Sequence, residues 1–187
     1  MFSIDQESKR LAFLLRHDTL GFKQRKIDDE GWRLVEELIR DQNFSSVKLL
    51  EEIVSTDLKQ RYEFNSDHTK IRAVQGHSIP VNVGLEEREP PEYLYHGTST
   101  RFMDSILENG LQPQSRLYVH LSQDIDTAKA VGLRHGGDLL ILSIKANEMW
   151  NLGIQFWQAK NGVWLTKCVD PKFIFVFPLH LYLRNNE

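Results

Sequence analysis

Residues 61–78 read RYEFNSDHTKIRAVQGHS. Two runs rich in aromatic and β-branched residues, RYEFN and KIRAV, flank the polar tetrapeptide SDHT, so the stretch is expected to fold as a β-hairpin. Its second arm carries Arg72 and ends on Gln75, Gly76, His77 and Ser78. A strand arginine commonly faces solvent, and the residues after it read equally well as a plain turn. The other reading is that Arg72, Gln75 and His77 line a site. What precedes and follows the hairpin decides between them.

Upstream the pattern is helical. Ser3 and Gln6 have the spacing of a capping box, and Leu11, Leu14 and Leu15 recur at helical intervals, which predicts a helix over residues 5–17 with Arg16 and His17 at its C-terminal end. In DDEGWRLVEELIRD, Asp and Gly stand ahead of Leu34, Val35, Leu38 and Ile39, the signature of a second amphipathic helix. Ser45 or Ser46 then opens a third, VKLLEEIVST. Three helices and a two-stranded ribbon over residues 1–83 have the organisation of a winged-helix-like lobe, which often binds nucleic acid.

GLEEREPPEY, residues 84–93, breaks both periodicities and is the candidate linker. After it YLYHGTS reads as a strand, TRFMDSILENG as a helix stopped by Gly110, and RLYVHLS as another strand. Ser122 is the expected cap of a helix through QDIDTAKAVGLRHG, and DLLILSI, GVWLTKCV and KFIFVFPL supply three further strands. The chain is therefore expected to be an α+β protein of two lobes, residues 1–83 and 94–187.

Composition narrows the function classes. The 187 residues are 41% hydrophobic and 26% charged, ordinary for a globular protein, and there is no apolar run of about 18 residues to span a bilayer. The polar start MFSIDQESKR is unlike a secretory signal, so a cytoplasmic protein with no membrane partner is expected; a monomer is expected too, though nothing in the sequence sets the oligomeric state. Cys168 is the single cysteine among 187 residues. It cannot close an internal disulfide and is expected to be a packing residue. Seven histidines without HExxH or HxxxH spacing point to no metal site. A net charge of −3 argues against a general nucleic-acid coat, so any contact with RNA must be local. FKQRKI, with Lys23, Arg25 and Lys26, is the densest basic patch, either a solvated loop or a phosphate contact.

Arginine suits phosphate because its planar guanidinium gives paired, charge-assisted hydrogen bonds. Arg16, His17 and Arg72 converging on one point would favour a phosphate over a carboxylate, although spacing alone does not bring them together. Neither GxGxxG after a strand nor GxxxxGK[ST] occurs, so any nucleotide is held in another way. YHGTS offers an imidazole, a glycine where backbone can approach a ligand, and two hydroxyls; it is also an acceptable strand-to-helix turn.

Six motifs in order, LLRHD, IRAVQGHS, LYHGTS, RLYVHLS, GLRHG and NGVWLT, resemble the NAD-dependent RNA 2′-phosphotransferases, and the likeness extends over residues 8–177. The resemblance implies an N-terminal winged-helix lobe for RNA and a C-terminal ADP-ribosyltransferase-like lobe for NAD⁺. It implies that Arg16, His17, Arg72 and Arg134 form the catalytic group. Gln75 and His77 would join Arg16, His17 and Arg72 around the RNA 2′-phosphate. His96, Gly97, Thr98, Ser99, His120, Leu121, Ser122 and Arg134 would meet NAD⁺, with no metal. The implied reaction runs through RNA-2′-phospho-ADP-ribose to 2′-OH RNA, nicotinamide and ADP-ribose 1″,2″-cyclic phosphate. Lys160 departs from the acidic residue often found before NGVWLT, which bears on local loop electrostatics. Competing readings are a mono-ADP-ribosyltransferase acting on protein or nucleic-acid ends, and a noncatalytic winged-helix regulator that senses NAD.

Overall fold

The computed structural model describes residues 3–178. The chain divides into two compact units: the residues up to Leu85 with Ser115–Leu117, and Glu86–Gln114 with the chain from Tyr118 onward. It is a mixed α and β protein with several small sheets. The end of the expected second lobe, including Leu179 of the last expected strand, lies outside the described residues, as do Met1 and Phe2.

In the first unit the order is α1 (Ile4–Arg16), α2 (Thr19–Lys23), β1 (Arg33–Leu34), α3 (Val35–Gln42), α4 (Val47–Thr56), β2 (Tyr62–Phe64) and β3 (Lys70–Ala73). Helix α1 opens on the capping box expected of Ser3 and Gln6 and stops at Arg16, leaving His17 as its C-terminal cap. Ser46 caps α4 through the Leu49 amide. Two differences from the sequence reading stand out. Asp18 accepts from the Gly21 amide and starts α2, a short helix that the sequence pattern does not predict. Arg33 and Leu34, expected as helix, pair with β3, so the ribbon is a three-stranded sheet in the order β1-β3-β2. In the basic patch, Lys26 is drawn into an ion pair with Asp41 at 3.3 Å.

Alternation along β3 does the sorting. Ile71 and Ala73 are fully buried with Leu11, Leu15, Leu38 and Leu50, and each such leucine or isoleucine removed from water contributes about 1.5–3 kcal/mol. Arg72 therefore emerges on the opposite face of the sheet.

The second unit contains β4 (Glu86–Glu87), β5 (Leu94–Ser99), α5 (Met103–Asn109), β6 (Val119–Leu121), α6 (Ile125–Gly132), β7 (Leu139–Ile144), α7 (Ala146–Asn151), β8 (Phe156–Gln158), β9 (Trp164–Thr166) and β10 (Ile174–Val176). Its sheets run β10-β7-β5 and β4-β8-β9-β6. Leu94, Leu142, Ile144, Met149 and Phe156, all with no exposed surface, are at the centre of its core. The stretch expected as a linker supplies β4, whose Glu86 and Glu87 pair with Gln158 and Trp157. Gly110 ends α5 with φ of 70°, as expected. Helix α6 starts two residues later than the reading had it, because Asp124 rather than Ser122 accepts from the Thr127 amide. Cys168 is exposed, not packed. Its neighbour Val169 takes the core position and bonds through its backbone to Leu111. Among the described residues no helix is long and apolar enough to cross a membrane.

Candidate functional site

In the first unit the end of α1, the strand β3 and the loop after it bring Arg16, His17, Arg72 and His77 into one electrostatic neighbourhood. Arg16 occupies the last turn of α1, where a cation is favoured by the helix dipole. Its side chain lies against Gly76, whose φ is 92°; a Cβ there would meet Arg16 Nε at 3.3 Å. Glycine thus serves both the left-handed turn and the guanidinium above it. Nε and Nη2 of Arg16 are buried with no hydrogen-bond partner among the described residues. Burial lowers the Arg16 pKa to about 10, with Arg116 and Arg61 adding to the effect and Tyr62 and Asp57 opposing it. The group remains a cation at neutral pH. Each orphaned donor costs about 1–3 kcal/mol, more beside a charge, until an anion meets it.

His17 Nδ1 is 3.0 Å from Ser78 Oγ, and the Ser78 amide donates to the Arg16 carbonyl at 3.0 Å. Its pKa is lowered, first by burial and then by Arg16 and Arg116. His77 is 4% exposed, its Nε2 without a partner among the described residues; burial, then Arg16, His17 and Arg72, push its pKa down to about 3. Both imidazoles are neutral at pH 7. The His77 carbonyl accepts from the Leu117 amide at 3.0 Å. That bond ties the Ser115–Leu117 segment to this unit and brings Arg116 within electrostatic reach of Arg16 and His17. Gln75 is half-buried in the same loop. Arg72 is held by Glu63, Trp32 and the Glu30 carbonyl. A cavity of about 490 Å³ near this turn is lined by Asp28, Asp29, Glu30, Trp32, Asn65 and Lys70. Three carboxylates make it a poor phosphate site.

The second unit holds the other candidates on β5, on β6 and beyond α6. His96 Nδ1 is 3.0 Å from the His120 carbonyl, and His120 Nδ1 is 3.0 Å from the Tyr118 carbonyl. A carbonyl only accepts, so in each of these contacts Nδ1 carries the hydrogen and donates it. Gly97 has a packing reason: a Cβ there would run into the Ala128 carbonyl of α6. Thr98 and Ser99 are buried, and Ser99 Oγ has no partner among the described residues. Leu121 belongs to the core, leaving only its backbone for a ligand. Ser122 exchanges two backbone bonds of 2.8 Å with Tyr95. Arg134 is exposed on the turn Leu133–His135, and Lys160 is exposed on its loop.

Sequence reasoning did not find Arg116, Glu63 or Trp32, and gave Ser78 no role. The pairing of Glu63 with Arg72 follows from the hairpin register, so that signal was present.

A family model described as "RNA 2'-phosphotransferase, Tpt1 / KptA family" matches residues 3–168. A probable RNA 2′-phosphotransferase of Escherichia coli O6:K15:H31 is 46% identical over 176 residues, 90% of this chain and 94% of its own length. One from Pseudomonas fluorescens is 47% identical over 178 residues, 91% and 96% of the two chains. One from Shigella boydii is 45% identical over 174 residues, 89% and 92%.

Proposed function

Since the chain belongs to the RNA 2′-phosphotransferase, Tpt1 / KptA family and is an enzyme of that class, we propose that its phosphate acceptor is NAD⁺ and that the two units divide the substrates. The first unit, read as winged-helix-like, takes the RNA 2′-phosphate through Arg16, His17, Arg72, Gln75 and His77. The second, read as ADP-ribosyltransferase-like, takes NAD⁺ through His96, Gly97, Thr98, Ser99, His120, Leu121 and Ser122. Arg134 is assigned to both the catalytic group and the NAD⁺ contacts on the strength of its motif. The enzyme is proposed to act as a cytoplasmic monomer.

One observation carries the reading: Arg16 keeps two buried donors without partners beside neutral histidines and two further arginines. That arrangement is costly when empty and is relieved by a dianion. NAD⁺ supplies an activated anomeric carbon and a good leaving group. The chain's own residues position the phosphate and offset charge. His17, neutral at working pH, can accept the O2″ proton when the ribose attacks phosphorus.

The test is incubation of the enzyme with NAD⁺ and a 2′-phosphorylated oligonucleotide, with products separated by liquid chromatography. Nicotinamide and ADP-ribose cyclic phosphate are expected, only with NAD⁺ present. Free inorganic phosphate, or equal turnover without NAD⁺, would overturn the reading. A product that stops at ADP-ribosylated RNA would instead support the mono-ADP-ribosyltransferase alternative.

A further inference from the structure

We propose that Trp32 and Glu63 are positioning residues for phosphate transfer, gripping the Arg72 guanidinium by its face and one edge so that Nη2 is the end offered to substrate. The inference rests on the reading that Arg72 binds the 2′-phosphate.

The three residues form one row across the sheet. Glu63 is the direct partner of Arg72 on β2, and β1 pairs Arg33 with Ile71. Continuing that register by one residue sets Trp32 opposite Arg72 on the other side. Side chains in one row share a face of the sheet. Contacts follow that placement: Arg72 Nε donates to Glu63 Oε1 at 2.6 Å, and the guanidinium carbon is 4.2 Å from the Trp32 ring centroid. Nη1 donates to the Glu30 carbonyl at 3.1 Å. The turn that supplies both Trp32 and Glu30 is itself closed, since Asp28 Oδ1 accepts from the Glu30 amide at 3.1 Å and the Trp32 amide at 2.8 Å. Nε, Nη1 and one face are thus committed, and no hydrogen bond from Nη2 occurs among the described residues.

The arrangement has a cost as well as a use. A carboxylate at 2.6 Å from the guanidinium offsets part of the charge that would attract a phosphate, so it weakens ground-state attraction. What it secures is orientation: a long side chain that would lose rotamer freedom on binding has already lost it. Removing Glu63 should therefore slow the reaction without weakening RNA binding, whereas a generally damaged fold would do both.

Steady-state rates with NAD⁺ and a 2′-phosphorylated oligonucleotide decide it, measured on the full chain with melting temperatures alongside. Glu63→Ala is expected to lower kcat on the order of 10-fold with no rise in KM for RNA, and Glu63→Gln, which keeps the acceptor oxygen, to recover most of it. Trp32→Leu should behave like Glu63→Ala, and Trp32→Phe should recover part. In an Arg72→Lys background neither Glu63→Ala nor Trp32→Leu should lower kcat further, because lysine has no planar group to grip. Equal losses in both backgrounds, or wild-type kcat in Glu63→Ala, would overturn the inference. Should Trp32→Leu fail to fold, the Glu63 pair alone decides. If Arg72→Lys itself retains wild-type kcat, the assignment of Arg72 to the phosphate fails; if Arg72→Lys is impaired while Glu63→Ala and Trp32→Leu are not, only the positioning roles fail.

Discussion

The candidate residues of the two units are held in opposite ways. In the first, Nε and Nη2 of Arg16 and Nε2 of His77 are buried and unmet among the described residues; burial lowers both pKa values, Arg116 and Arg61 add to the shift of Arg16, and Arg16 adds to that of His77. In the second, His96 and His120 are each tied to a carbonyl, and Gly97 is required by α6. On the proposed function, the unmet donors of Arg16 in the first unit are those a strongly charged group would meet. On the same reading, the second unit offers NAD⁺ side chains that the fold already orients.

The largest expected effect breaks the comparison at its charged end. Phosphodiester cleavage gathers negative charge on the phosphate oxygens, whereas in the first step a guanidinium both holds and tempers the nucleophilic phosphate. Only interactions stronger in the transition state raise the rate, so loss of one charged hydrogen bond of about 1.5–3 kcal/mol should slow the second step about 10- to 150-fold. Arg16→Ala, Arg72→Ala or Arg134→Ala, at least one of them, should accumulate RNA-2′-phospho-ADP-ribose in a labelled-RNA time course. Unreacted RNA alone in all three would assign these arginines to binding or to the first step.

Next in size is the packed end. Gly97→Ala forces a methyl group against the Ala128 carbonyl and should cost about 1–3 kcal/mol by overpacking, seen as a lowered denaturation midpoint. Unchanged stability with lost NAD⁺ affinity would instead make Gly97 a ligand-approach residue.

A smaller effect concerns pH. In the unfolded chain His77 takes up a proton near its ordinary pKa; in the fold it resists until about pH 3. Between those values the unfolded chain binds more protons, so stability falls as pH falls through the window, by at most about 1.4 kcal/mol per unit from this residue. His77→Gln should flatten the slope of urea stability between pH 7 and pH 5. The same slope in the variant would mean that His77 is protonated in the fold.

Smallest of all, Cys168→Ser should shift stability by no more than about 0.5 kcal/mol, since the thiol is exposed. A larger loss in thermal melting would restore the packing role expected from sequence.

What the sequence disclosed was what is local. The caps at Ser3 and Ser46, the stop at Gly110 and the hairpin around residues 65–69 each depend on a few neighbouring residues. Where two local signals competed, the nearer residue won: Asp124 caps α6 because its carboxylate reaches the Thr127 amide. Arg33 became strand despite a helical pattern because β3 offers it a partner and Asp18 an ion pair at 2.8 Å. Arg116 was illegible because it joins the first unit through a return of the chain nearly forty residues after His77. Cys168 misled because composition gives no register, and a shift of one residue on an extended segment exchanges inside for outside.

The central claim, that the unmet charge of the first unit awaits a 2′-phosphate, is tested most directly by binding without NAD⁺. The probes are two oligonucleotides of one sequence, one with an internal 2′-phosphate and one with a 2′-hydroxyl at that position. The wild-type enzyme should bind the phosphorylated strand about 10- to 150-fold more tightly, as one charged hydrogen bond requires, and Arg16→Ala should erase most of the difference. Equal affinity for the two strands in the wild type would contradict the account.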